Sequence, residues 1–226
     1  MTAIKQLFSK DPEAAVLTAA RSKEHCWLIL GGAYVLLMGI FYRVFVGNAL
    51  AEMIRSVMES FGGMFGFGGM MPPGDFLELQ MGISFFMNHI QVQLIFMAVI
   101  LGALNLLLYA TCVKLTCAIH KVEIPFVTTL NIAAGATLIP SAAMAAGILI
   151  SFVSATAAFF VVSMASIALY VVLYSSTKQV VAFRTGPLWA FIGLLSAAFL
   201  IYFFAVGLLV QNMLTNAMMG MMNMPF

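Results

Sequence analysis

The stretch TTLNIAAGATLIPSAAMAAGILISFVSATAAFFVVSMASIALYVVLY, residues 128–174, contains no Lys, Arg, Asp, Glu or His. At about 1.5 Å per helical residue, a single helix of this length would exceed twice the roughly 30 Å hydrocarbon core of a bilayer. A helical hairpin is the economical reading, with a turn at 151–156, a first arm near 130–151 and a second near 155–174. Pro140 sits inside the first arm. Its missing N–H deprives the carbonyl of Ala136 of a helical donor and favours a kink there.

The rest of the chain has the same character. Of its 226 residues, 63% are apolar and 8% charged, with a mean hydropathy of +1.08; globular domains average about 45–50% apolar and about 25% charged. These values indicate an all-α polytopic membrane protein whose solvent is the lipid bilayer. A net charge of +2, scattered along the chain, excludes a nucleic-acid-binding surface. Three cysteines are too few, and odd in number, for a disulfide framework. Nothing in the composition implies a cofactor.

Five spans are expected, at about 26–46, 92–113, 130–151, 155–174 and 188–210. A polar lead, 1–25, precedes them. Within it Asp11-Pro12-Glu13 is a good helix start, so a short surface helix is expected over 12–24. Trp27 borders the first span on one side, and Tyr42 and Arg43 on the other, as interfacial aromatic and snorkelling side chains do. Ala49-Leu50-Ala51 resembles a signal-peptidase site, but the leader would be too long and Arg43 interrupts it. An uncleaved anchor is therefore expected.

The outer loop, 47–91, reads as an amphipathic interfacial helix over 48–61, a break at GGMFGFGGMMPPG (62–74), and a second amphipathic run over 76–90. The outer tail, 211–226, is uncharged and rich in Met.

An odd number of spans puts the termini on opposite sides. Lys5, Lys10, Arg21, Lys23, Lys114, Lys121, Lys178 and Arg184 then share one side, against Arg43 and Arg55 on the other. By the positive-inside rule the N-terminus is cytoplasmic and the C-terminus outside, in a multi-pass protein of the cell membrane.

No acidic or basic residue falls in the middle of a span, which disfavours an ion-coupled transporter. No enzyme is expected either: His25, His89 and His120 are split between the two sides, and no serine sits in a nucleophile elbow. His25, Cys26, Cys117 and His120 are competent zinc or copper ligands brought toward one face by topology. Without a CxxC or HxxxH, however, no metal is expected, and a buried Cys serves as a small apolar side chain. Met64, Met70, Met71 and the methionines of the tail are soft Cu(I) ligands, yet their apolar neighbours favour an adaptable interfacial surface.

The residues expected to matter pack helices. Gly135, Ala143, Gly147 and Ser151 recur on a four-residue grid that permits close helix contact. Pro140 kinks that helix, and Asn105 is expected to bond a neighbouring helix.

The arrangement resembles the Yip (Ypt-interacting protein) family of integral membrane domains in its bacterial form. The lead into the first span, DPEAAVLTAARSKEHCWLIL (11–30), and the basic loop running into IPFVTTLNIAAGATLIP (124–140) carry the resemblance, with the long outer segment and the closely spaced later spans. It implies five spans with the N-terminus in and the C-terminus out, and a non-enzymatic scaffold or membrane-organising, trafficking-type role. The partners implied are other membrane proteins or further copies of the chain; eukaryotic members are linked to Rab/Ypt GTPases and vesicle formation. The alternative is a small permease, or the membrane subunit of a transporter, with Pro140 and Asn105 near a substrate path.

Overall fold

The computed structural model describes residues 16–18, 26–65, 73–181, 183 and 186–222. Among them there is no strand, and six helices follow one another. They are α1 (Cys26–Phe65), α2 (Pro73–Ile119), α3 (Phe126–Ala136), α4 (Leu138–Ser151), α5 (Ala155–Val180) and α6 (Leu188–Met222). Five segments are long and apolar enough to cross a membrane: Cys26–Glu52, Val92–Ile119, Phe126–Ser151, Ala155–Val180 and Leu188–Asn212. Each contains the span expected from sequence.

The outer segments depart from expectation. Residues 48–61 are no separate interfacial helix but the continuation of α1, and 76–90 likewise belong to α2. The physical reason is that only Gly47 separates the first span from its extension. One internal Gly costs about 1 kcal/mol, less than nucleating a new helix. The break is also narrower than 62–74, because α1 continues through Gly62 and Gly63 to Phe65, and α2 begins on Pro73. Proline is accepted as a first helical residue, where no N–H is needed. Residues 66–72 lie outside the described residues. So does the lead helix expected over 12–24, except that 16–18 are helical and Val16 is buried.

The third span divides where Pro140 predicts. Thr137 separates α3 from α4, and two hydroxyls rejoin the loosened backbone: Thr137 Oγ1 donates to the Ala134 carbonyl at 2.8 Å and Ser141 Oγ to the Thr137 carbonyl at 2.7 Å. Such local bonds allow a break in a medium without water. The division changes partners, since α3 packs on α1 and α2 while α4 packs on α1 and α5. The hairpin turn follows at Phe152 and Val153. Ser154 then caps α5, its hydroxyl accepting from the Ala157 N–H at 3.2 Å.

At the other end of the bundle α2 terminates in a Schellman motif. The Val122 N–H donates to the Cys117 carbonyl at 2.9 Å and the Lys121 N–H to Ala118 at 3.0 Å, with Lys121 at φ 57°. Lys114 Nζ donates to the Ile124 carbonyl and holds the loop against α2.

The pair α1 and α2 forms the axis of the bundle. They approach closely at Gly31, Gly39 and Gly102, where an added Cβ would fall 2.5 Å from Leu106, 3.2 Å from Val99 and 3.1 Å from the Met38 sulfur. On one side α4 and α5 close against α1; on the other α6 packs chiefly on α2. Asn131, buried in α3, accepts the Trp27 N–H at 2.9 Å and so caps α1 from a different helix. Near the opposite end, Asn48 Nδ2 donates to Ser151 Oγ at 3.1 Å, joining α1 to α4.

Candidate functional site

All five spans contribute to one cavity of about 210 Å³. Each presents a pair of lining residues four positions apart, which a helix places on one face. These are Tyr34 and Met38 on α1, Asn105 and Tyr109 on α2, Pro140 and Met144 on α4, Ser166 and Tyr170 on α5, and Ala198 and Tyr202 on α6. Tyr42 extends the α1 row by one more turn. The cavity therefore holds five of the chain's 6 tyrosines together with Asn105, and no charged residue lines it.

The site lies at mid-depth. Asn105 falls midway along Val92–Ile119, Ser166 and Tyr170 near the middle of Ala155–Val180, and Pro140 beside the break in Phe126–Ser151. Asn105 interacts with the phenols of Tyr34 and Tyr202, so α1, α2 and α6 meet at this residue. Tyr109 and Tyr170 are bonded to each other, their rings edge to face with centroids 6.0 Å apart. A side groove, lined by Tyr170, Leu195, Ser196, Phe199 and Leu200, shares three of these residues with the cavity. It runs between α5 and α6, which make no extensive contact with each other.

Two of the residues singled out from sequence, Asn105 and Pro140, thus meet in this cavity. The small-residue grid is divided between two helices. Gly135 is buried in α3, whereas Gly147 is buried in α4, where a Cβ would stand 2.9 Å from the Phe41 ring and 3.1 Å from Val162. Ala143 is half-buried, and Ser151 is buried and bonded to Asn48. The close contact made by Gly147 is within the chain.

The candidate ligands Cys26 and Cys117 belong to one apolar cluster at the Lys121 end, Cys117 fully buried and Cys26 packed at its margin. The His120 ring stands against Phe183, centroids 5.3 Å apart. Among the described residues no three His, Cys, Asp or Glu side chains come together as a metal site, and His25 lies outside them. Met70, Met71 and Met224 also lie outside the described residues.

The tyrosines were not singled out from sequence. Their signal was position: Tyr concentrates at membrane interfaces, whereas Tyr34, Tyr109, Tyr170 and Tyr202 each stand well inside an apolar span. No family model, curated protein or solved structure matches the chain.

Proposed function

We propose that this chain is a Yip-like, non-enzymatic membrane-organising protein that acts through helix and lipid contacts. It sits in the cell membrane with its N-terminus cytoplasmic and its C-terminus outside. One observation carries the reading: every span turns large apolar side chains outward, among them Ile29, Phe96, Leu149, Phe160 and Phe204. Arg43, Lys114 and Lys178 are the described cations within the spans, and each stands away from the cavity. Such a surface suits lipid and partner helices rather than an aqueous reaction. Recovery of defined membrane-protein partners from mild detergent tests it; a chain that emerges alone and monomeric would count against it.

A second reading is supported by the cavity, where Asn105 and Pro140 both line the wall at mid-span beside a broken helix, the setting of substrate sites in transporters built on discontinuous helices. Reconstitution into proteoliposomes separates the two. A saturable, solute-specific flux would replace the first reading with the second.

A further inference from the structure

We infer that the mid-span cavity binds a membrane-dissolved, uncharged ring bearing carbonyl or hydroxyl groups, the chemistry of a quinone head, which enters from lipid between α5 and α6. The inference concerns occupancy of the cavity alone and does not rest on the family reading.

Size is the first argument. A volume of about 210 Å³ exceeds the roughly 150 Å³ that suffices for benzene in an apolar core. A single substituted ring fits, and a phospholipid headgroup with its glycerol does not. Charge is the second. No acidic or basic side chain lines the cavity, so a phosphate or ammonium would be buried at low dielectric without a counter-ion, at prohibitive cost. An uncharged group escapes that cost if its oxygens are hydrogen-bonded.

Donors for those oxygens are present. A carboxamide can make about four hydrogen bonds, and Asn105 lines the cavity together with the hydroxyls of Tyr34, Tyr170 and Tyr202. The phenols and the two sulfurs, of Met38 and Met144, form walls suited to an aromatic face. Access is the fourth argument. The groove lined by Ser196, Phe199 and Leu200 adjoins the cavity, with Tyr170, Leu195 and Phe199 forming the wall common to both, and it faces the lipid side, where Leu200 is 70% exposed. An aliphatic tail fits along it while the ring reaches Asn105.

The full chain in lipid nanodiscs, photolabelled with an azido-benzoquinone carrying a ten-carbon tail, tests this. Labelling of α2, α5 and α6 should saturate and be displaced by the unlabelled decyl-benzoquinone, but not by monoolein. Asn105→Leu should weaken displacement about tenfold, the effect of one lost buried hydrogen bond. Ser196→Trp, on an exposed position, should reduce labelling at least as much while leaving the thermal melt unchanged, which guards against a folding defect in the first variant. Labelling linear in probe, equal displacement by monoolein, or wild-type behaviour of Ser196→Trp would each overturn the assignment.

Discussion

At the scale of single residues, the bundle depends on a few positions where size or one polar atom decides the packing. Gly147 is the sharpest test, because Phe41 and Val162 occupy the space a side chain would need. Leucine there gains about 0.8 kcal/mol of helix propensity, but overpacking against a ring already at 2.9 Å costs about 1–3 kcal/mol, and the second effect wins. Gly147→Leu should therefore lower the detergent melting temperature, whereas Gly193→Leu, with nothing within 4 Å of its added Cβ, should not. Equal melts would show that α4 does not approach α1 as closely as described. Asn131 is a second such position. Replacing it with Ala removes the acceptor of the Trp27 N–H and leaves an orphan donor at the start of α1, for an expected loss of about 1–2 kcal/mol. A thermal melt in detergent should show that loss.

At the scale of elements, what was legible in sequence followed from local chemistry, and what was missed depended on packing. Pro140 announced the division of the third span because an absent N–H is a property of the residue itself. The uncharged run of 128–174 announced the hairpin because its length exceeds twice a single crossing. The lengths of α1 and α2 were misjudged, since amphipathic periodicity reports which faces are polar but does not say where one helix stops. The tyrosine cavity was harder still: each of its pairs is unremarkable within its own span, and only the bundle brings five of them together. The loop after α2 offers a test of local chemistry at work. Lys121 holds φ 57°, a conformation that costs a residue with a Cβ roughly 1 kcal/mol and costs glycine far less. Lys121→Gly should raise the melting temperature, by the equivalent of about 0.5–1 kcal/mol. Lys121→Val should lower it, and a lowering by both would show that the ammonium group, rather than the backbone, governs this turn.

At the scale of the molecule, the odd number of spans has a consequence for the placement of charge. The turn at 121–125 and the described residues Val181 and Phe183 lie at the end of the bundle where α1 begins, and the turn at Phe152 and Val153 lies at the opposite end. With that arrangement Lys114, Lys121 and Lys178 cluster at the α1 start, the end from which the cation-rich lead emerges. Translocating those cations is opposed by the insertion machinery and the membrane potential, so that end should remain cytoplasmic. A reporter that works only in the cytoplasm should be active when fused before Met1 and silent after Phe226, and an exported reporter should behave the opposite way. Neutralising Lys114, Lys121 and Lys178 together should leave the two ends on opposite sides, because the number of spans is set by hydrophobic length, while allowing a fraction of molecules to insert inverted. Reporters that place both ends in one compartment in the unmodified chain would mean that one of the five apolar segments does not cross, and Leu188–Asn212, the least buried of them, would be the first to re-examine.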